Sequence, residues 1–212
     1  ANVLARGLGL PTDPVAAAAR LLGALRADRR RRVGLGRAGT RLFTFAAGMG
    51  FDAAVVRRVE DRPRRKRRLR HAAYLLDAVT EWRSGPHARG VVRAEVDGAV
   101  TGPHAVAVVG NATPWSALGP VPLRLHPGAS FDHGLDLLTV DPTGLAGLAV
   151  VLAAAAAGGR HPGLPGVTHR PDLTRIVLRA DVPLPVQVDG DPLPAVTEVE
   201  LTAVPAALDV LT

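Results

Sequence analysis

The spacing of hydrophobic positions changes along the chain, from a helical pattern in residues 1–32 to strand patterns beyond them. Thr12 or Asp13, followed by Pro14, is typical of a helix start, because the side chain caps free N–H groups and proline suits the first turn. An apolar side then follows at Leu21, Leu22 and Leu25. We therefore predict helix through residue 32, with Arg29–Arg32 closing it where the helix dipole favours cations.

Residues 33–202 show the short alternating segments that are typical of strands. Residues 92–96 alternate apolar and charged side chains, and Asp97-Gly98 predicts a turn into an apolar strand over Ala105–Val109. Helical spacing returns over residues 71–83. Further strands are predicted at Leu42–Ala47, Leu123–His126, Leu137–Val140, Arg175–Ala180, Val182–Val188 and Val196–Val204. Many short strands separated by glycine and proline predict a β-sandwich or a barrel.

Two segments depart from this strand pattern. Gly48–Asp52 is predicted to break the preceding strand, since it holds two glycines within five residues. Pro142–Gly159 has no charged residue, which touches the lower length limit for a membrane-spanning helix. Its alanines contribute little to membrane insertion, so we predict a helix buried in the protein core.

Composition and charge limit how the core can be built and which kinds of site the chain can contain. The chain has 212 residues, enough for a sizeable core, and its 3% aromatic content means that Val, Leu and Ala must fill that core. The absence of cysteine excludes disulfides and thiolate metal sites. The net charge of +7 is unevenly distributed. Nine basic residues lie within residues 57–70, whereas every charged residue after Arg179 is acidic.

Two aspartates end a predicted strand in the segment Val186–Pro192. Val186 and Val188 alternate with polar residues, and Asp189-Gly190 predicts a tight turn that places Asp189 close to Asp191. A solvated hairpin turn explains this composition, since Asp and Gly are common turn residues. A pair of carboxylates used in catalysis explains it as well, and the segment by itself leaves both open.

Several motifs, in the same order along the chain, resemble those of the diacylglycerol kinase-type lipid kinases of bacteria, which are related to sphingosine kinases. The similar segments are Asn2–Pro11, Phe45–Asp52, Arg70–Tyr74, Val109–Asn111, Pro127–Asp136, Val188–Asp191 and Val204–Val210. Among the departures, Val3 replaces an Asp, His133 replaces an Asp, and Asp191 stands where the family usually has Glu.

The resemblance implies a domain organisation. The family's G-G-D-G-T phosphate loop is not in this sequence, and Gly34–Gly39 is no substitute for it. The chain thus resembles the C-terminal part of such a kinase: mainly β with some α, a β-sandwich of residues 33–202 carrying two or three helices. Residues 1–32 would be a helical remnant of an absent α/β nucleotide-binding domain, and residues 203–212 a final strand returning toward that domain.

The resemblance also implies a reaction, the transfer of the γ-phosphoryl group of ATP to the hydroxyl of a diacylglycerol-like lipid. Such a transfer requires a carboxylate that takes the hydroxyl proton. Asp191 matches the family's proton acceptor, Asp189 would position Mg²⁺ or the substrate, and Asn2 would take part in cofactor binding. Without its nucleotide-binding domain the chain is expected to be inactive.

A structural Mg²⁺ site is implied at Asp136, with the carbonyls of His133 and Leu138 as companion ligands, since Mg²⁺ prefers oxygen. A simple Asp-Gly turn between strands is the alternative for this segment. The seven histidines show no H-x-x-x-H or H-E-x-x-H spacing, and His161 is interpreted as structural or solvated.

The basic run predicts an electrostatic partner. Anionic lipid headgroups attract such runs, whereas a solvated loop is the plainer interpretation. The residues assigned to the lipid-facing surface are Arg64, Arg65, Lys66, Arg67 and Arg68. Few aromatics argue against nucleic acid as a partner. We expect a cytoplasmic protein, peripheral at the inner membrane surface, with a homodimer left open. The alternative function is a non-catalytic β-rich module that binds anionic membranes or other polyanions.

Overall fold

A computed structural model describes the fold over residues 2–64, 71–85, 90–118 and 120–212. The helices are α1 (Val3–Gly7), α2 (Pro14–Arg26), α3 (Phe51–Glu60), α4 (His71–Ser84) and α5 (Leu145–Ala156), followed by a 3₁₀ turn at His161–Gly163. The strands are β1 (Arg30–Ala38), β2 (Arg41–Phe43), β3 (Ala46–Gly50), β4 (Val92–Val96), β5 (Ala99–His104), β6 (Val106–Gly110), β7 (Ser116–Leu118), β8 (Val121–Leu123), β9 (Leu135–Val140), β10 (Val167–Leu173), β11 (Arg175–Val188) and β12 (Asp191–Leu211).

Antiparallel pairing joins most strands into one large sheet, in the order β10-β9-β6-β3-β11-β12-β1-β2, with β4 and β5 branching from β11. β11 belongs both to the main run of strands and to the branch formed by β4 and β5, and these two parts form the two layers of the sandwich. Its first half pairs with β4 and its second half with β3. The register of β11 against β12 shifts between Arg179 and Val186, where the two halves meet. Such irregularities bend a strand, which allows β11 to pass from one layer to the other.

The main core lies between these layers and is built from aliphatic side chains. Its buried members include Met49, Val96, Val109, Leu135, Ile176, Leu178, Leu184 and Leu201. Full burial of such a side chain contributes roughly 1.5–3 kcal/mol, so an aliphatic core suffices with few aromatics. A second cluster holds the helices, where the rings of Phe51 and Trp82 meet edge to face at 5.1 Å. The predicted fold class, a mainly β sandwich with helices packed on it, is confirmed.

The N-terminal helices end earlier than predicted. Asp13 caps α2 by accepting a hydrogen bond from the Ala16 N–H at 2.8 Å, but the helix ends at Arg26. The helical prediction is wrong for Arg30–Arg32, which begin β1 and pair with the end of β12. These arginines lie opposite the acidic C-terminal strand, and Arg32 contacts Asp209 at 3.2 Å. Since β1 and β12 cross residues 33 and 203 without a break, the domain limits placed there stay a prediction.

Two helices differ from their predictions. Gly48–Asp52 does not simply break a strand, because Gly50, at φ +85°, turns the chain directly into α3, whose apolar face is buried. The uncharged run forms α5, but the prediction of a buried core helix is wrong. Val151 and Ala155 face inward, whereas Val150 on the other face is 52% exposed. Among the described residues no helix is long and apolar enough to cross a membrane.

Candidate functional site

The β11–β12 hairpin carries both aspartates of the opening segment. Val188 pairs with Asp191, and the two residues between them have positive φ angles, +50° at Asp189 and +86° at Gly190. Two successive positive φ values define the type I′ turn that suits a two-residue hairpin. The Asp189 N–H donates to the Ala46 carbonyl at 2.8 Å, which attaches the turn to β3.

The carboxylate of Asp189 is satisfied by groups of the β2–β3 connection. One oxygen accepts from the Thr44 N–H at 2.7 Å and the Thr44 hydroxyl at 2.8 Å. The other accepts from the N–H groups of Phe45 at 2.9 Å and Ala46 at 3.1 Å. Hydrogen bonds to an ionised acceptor are about twice as strong as neutral ones. Asp189 therefore fixes the β2–β3 connection against the hairpin, and its predicted role toward Mg²⁺ or substrate stays a prediction.

Asp191 lies just beyond the turn in a different environment. Its side chain is 66% exposed and meets Arg41 of β2, with Nη2 at 2.5 Å from Oδ2. An exposed ion pair of this kind stabilises a fold by roughly 0–1 kcal/mol, so Asp191 is not needed to hold the hairpin. The hairpin thus presents an accessible carboxylate on a turn that its neighbour Asp189 makes rigid.

Asn111, which follows β6, holds the same connection from the other side. Its side chain is buried, and Nδ2 donates to the carbonyls of Thr44 at 2.9 Å and Gly34 at 3.1 Å. Its backbone N–H donates to the Phe45 carbonyl at 2.8 Å. Three chain segments thus meet at one end of the sheet: the hairpin, the β2–β3 connection and the residue after β6.

Asp52, in the first turn of α3, lies close to the hairpin. It accepts a hydrogen bond from Gln187 at 2.7 Å, and Gln187 in turn accepts one from the Gly190 N–H at 2.9 Å. Burial raises the pKa of Asp52 to about 6, against the opposing effect of the Gln187 hydrogen bond. Position 48 must be glycine for this approach, because a Cβ there would lie 2.5 Å from the Asp52 carboxylate. Asp52 belongs to a sequence motif, but its half-buried position and its hydrogen bond to Gln187 are visible only in the structure.

A second cluster of titratable side chains lies near the start of β9, where Asp136 pairs with Gly110. His126, Asp136 and His169 each offer a ligand atom, and these atoms all lie within 4.8 Å of one another. Nε2 of His169 lies 3.1 Å from Oδ2 of Asp136, while the Asp172 N–H donates to Oδ1 at 3.1 Å. Burial acts to raise the pKa of Asp136, but the hydrogen bonds from His169 and Asp172 hold it below its ordinary value.

His126 is the member of this cluster with unmet hydrogen bonds. Its side chain is fully buried, and neither ring nitrogen has a hydrogen-bond partner among the described residues. Burial lowers its pKa to about 3, so the ring is neutral near pH 7. Gly110 makes room for it, since a Cβ there would lie 2.3 Å from His126 Cδ2. Each unsatisfied buried group costs about 1–3 kcal/mol, which makes this arrangement expensive without a bound partner.

Of the sequence-predicted metal ligands, Asp136 is in the cluster, and His133 lies in the turn before β9. The Mg²⁺ site formed by Asp136 with the carbonyls of His133 and Leu138 stays a prediction. The imidazoles of His126 and His169, by contrast, do not suit Mg²⁺, which demands oxygen ligands. His126 and His169 were missed because they are far apart in sequence, and no spacing motif connects them.

Of the remaining predicted residues, Asn2 and Arg64 lie outside both clusters. Asn2 is exposed at the start of α1, with φ +50° and no side-chain cap. Arg64 is exposed, and Arg65, Lys66, Arg67 and Arg68 lie outside the described residues. Asn2 and the basic run therefore stay predictions.

Substitutions of the two hairpin aspartates are predicted to change the free energy of unfolding by different amounts. Asp189→Asn places an NH₂ group against donors, and each lost bond to a charged acceptor is worth about 1.5–3 kcal/mol, so the free energy of unfolding falls by at least about 2 kcal/mol. Asp191→Asn loses only an exposed pair and changes it by less than about 1 kcal/mol. Urea unfolding of both variants measures the difference, and equal effects would contradict the role given to Asp189.

Asp52 predicts a pH-dependent stability. Its pKa is raised from 3.8 to about 6, so the folded state binds its proton more tightly than the unfolded state. Its contribution is therefore most favourable below pH 3.8 and is lost as pH rises through about 6. Asn at this position resembles the protonated acid and still accepts from Gln187. We expect Asp52→Asn to raise the free energy of unfolding by about 1–3 kcal/mol near pH 7.

Near pH 4 the stabilities of Asp52→Asn and the unmodified protein should converge, apart from any constant offset. Denaturant titrations at both pH values measure this. A difference that is the same at the two pH values would show that Asp52 keeps an ordinary pKa.

Comparison with known proteins relates this geometry to a family. Residues 46–212 match the family described as the YegS C-terminal NAD kinase beta sandwich-like domain. A comparison with curated protein sequences gives no match.

Three solved structures from Bacillus anthracis str. Sterne share the fold. Two, named "putative diacylglycerol kinase", are 18% and 17% identical with TM-scores of 0.67 and 0.68, and a third, named diacylglycerol kinase, is 19% identical with a TM-score of 0.67. This chain is covered to 99%, 100% and 99%, but spans only 64%, 66% and 64% of those proteins. At these identities the likeness shows the fold.

The family match extends from the first residue of β3 to the C-terminus and takes in most of the chain. It includes the hairpin, Asn111, Asp52 and the histidine cluster. The resemblance stated from the sequence motifs is confirmed at the level of the family. The chain belongs to the family of the YegS C-terminal NAD kinase beta sandwich-like domain.

Proposed function

We propose that this chain is the substrate-side domain of an ATP-dependent lipid kinase that phosphorylates a hydroxyl group of a diacylglycerol-like lipid. The observation that carries the proposal is the exposed carboxylate of Asp191 on a turn that Asp189 makes rigid. The names of the structural neighbours and the order of the motifs support the same reaction. A general base for a lipid hydroxyl must be accessible to the membrane-borne substrate and well positioned, and Asp191 meets both requirements.

In the proposed step, Asp191 accepts the proton of the lipid hydroxyl while the hydroxyl oxygen attacks the γ-phosphorus of ATP. A new P–O bond to the lipid forms as the bond between the γ-phosphorus and the bridging oxygen breaks, and ADP leaves. Arg41 holds the carboxylate in place through its contact with Oδ2. Asp191 is one methylene shorter than the family's usual Glu, so the rigid turn matters for its reach.

ATP, with Mg²⁺ as its accompanying cation, would be held mainly by a nucleotide-binding domain outside residues 1–212. The outer side of α2 supports a domain contact there, because Val15, Leu22 and Leu25 are 77%, 53% and 57% exposed. Neighbouring exposed apolar side chains of this kind are typical of a contact surface. Asn2 precedes this helix and is the residue proposed to approach the nucleotide. Residues 1–212 alone are then expected to be inactive.

The catalytic role of Asp191 predicts a large kinetic effect with little effect on folding. In the full-length protein, Asp191→Asn should lower kcat for diacylglycerol phosphorylation by roughly 10²–10⁴-fold, the usual contribution of a general base. Asp191→Glu, which restores the family's residue, should keep most of the activity. Radiolabelled phosphate transfer from ATP to lipid in mixed micelles measures both.

Asp181→Asn is the matched control. Asp181 is also an exposed carboxylate paired with an arginine, Arg93 at 2.6 Å, but it lies in the other half of β11. Its substitution should leave kcat unchanged. Loss of a general base lowers kcat by much more than about twofold. If kcat of Asp191→Asn stays within about twofold of that of the unmodified enzyme, Asp191 is not the base.

We also propose that the basic run brings the domain to anionic lipid headgroups at the inner face of the membrane. Arg64, which lies within this run, is exposed, and this supports the proposal. Each basic residue near such a surface contributes about 1 kcal/mol, so replacing Arg64 and Arg65 by Ala should weaken vesicle binding by roughly tenfold or more.

Cosedimentation with phosphatidylcholine vesicles, with and without phosphatidylserine, measures this binding at low salt. A protein carrying Arg170→Ala and Arg175→Ala loses the same charge elsewhere and should bind like the unmodified protein. Equal binding to the two kinds of vesicle would exclude electrostatic docking.

A further inference from the structure

The proposed kinase reaction gives no role to the buried cluster of His126, Asp136 and His169. The side chains of Asp136 and His169 are 2% and 11% exposed, and His126 is fully buried. Polar groups at such depth are normally paired with one another or with a ligand. His126 has no hydrogen-bond partner among the described residues, although its two ring nitrogens lie in the interior.

The distances within the cluster suit a metal ion. Two ligand atoms bound to one tetrahedral Zn²⁺ at about 2.0–2.1 Å lie roughly 3.3 Å from each other. Nε2 of His169 and Oδ2 of Asp136 are 3.1 Å apart. All three donors lie within 4.8 Å of one another, so one ion placed among them lies near each donor.

The surroundings orient the ligands as metal sites require. Oδ1 of Asp136 accepts the Asp172 N–H, which leaves Oδ2 directed at the imidazoles. Metal-bound carboxylates are commonly held by such outer hydrogen bonds. The neighbouring His161 donates Nε2–H to the Leu125 carbonyl at 2.8 Å, and its Nδ1 is buried with no partner among the described residues. The interior next to the cluster therefore contains one more imidazole nitrogen without a hydrogen-bond partner among the described residues. Such a nitrogen stabilises a nearby cation, whereas an apolar core does not.

We propose that His126, Asp136 and His169 bind a divalent first-row transition-metal ion of the Zn²⁺ class. Two imidazoles and one carboxylate match the preference of such ions for mixed nitrogen and oxygen ligands, whereas Mg²⁺ requires oxygen. The proposal does not depend on the kinase reaction.

The ion would fasten the edge of the large sheet. β10 is the terminal strand of that sheet, and its pairing with β9 is irregular between Arg170 and Leu173. Asp136 lies on β9 and His169 on β10, while His126 belongs to the loop after β8. One ion would therefore join three segments at the place where the backbone ladder between β9 and β10 is interrupted.

The test uses the full-length protein stripped of metal with a chelator and dialysed. Zn²⁺ should bind with one-to-one stoichiometry in calorimetry and raise Tm, and Co²⁺ should give visible d–d absorption bands. Mg²⁺ at the same concentration should have neither effect. Absence of the Co²⁺ bands together with an unchanged Tm in Zn²⁺ would overturn the proposal, as would an equal rise of Tm with Mg²⁺.

Variants then identify the ligands. His126→Ala and Asp136→Asn should each weaken Zn²⁺ binding by at least about 100-fold, above the effect typical of outer-shell groups. The control is Asp132→Asn, which removes an exposed carboxylate outside the cluster and should bind Zn²⁺ as the unmodified protein does. Circular dichroism establishes that each variant is folded. Zn²⁺ binding that survives in both folded variants would reject these ligands, and the wild-type Co²⁺ spectrum decides the matter if a variant does not fold.

Discussion

The carboxylate of Asp189 is the contact on which one end of this domain depends. It accepts three backbone N–H groups and one hydroxyl from residues 44–46, which are far from it in sequence. Those residues have few ladder partners of their own, so the carboxylate supplies their missing acceptors. Asn111 completes the arrangement from the strand on the other side of β3. The hairpin, the β2–β3 connection and the end of β6 are consequently fixed together.

Three aspartates near this contact show how environment divides the tasks among identical side chains. Asp189 is tied by four donors and has a structural role, whereas Asp191, two residues later, is exposed beside Arg41. Asp52 lies below the turn, where burial raises its pKa. The proposed base, Asp191, thus follows a turn in which both carboxylate oxygens of Asp189 already accept hydrogen bonds. A catalytic group presented in this way does not have to contribute to folding, which leaves it free for chemistry.

Alternation with period two predicted strands where one face of the sheet is buried, as in residues 92–96. The strand pattern missed β5 and β10, divided β11 into two strands, and overlapped β8 only at Leu123. It failed at Arg30–Arg32, where pairing with a distant acidic strand outweighs local helix propensity. It also failed for α5, since an all-apolar composition cannot distinguish a buried helix from one with an exposed face. Motif order singled out Asp191 and Asp189. The proximity of Asp136 to His169 follows from the pairing of β9 with β10, which no local spacing in the sequence encodes.

The tight turn also bears on the chemical durability of the chain. Asp-Gly is the dipeptide most prone to isomerisation, in which the following backbone nitrogen attacks the aspartyl carboxyl group and forms a succinimide. In this fold the Gly190 N–H is engaged by Gln187, and both oxygens of Asp189 are held by other donors. The reacting atoms are thereby kept from the geometry of attack. The same hydrogen bonds that shape the hairpin therefore protect its backbone from ageing into isoaspartate.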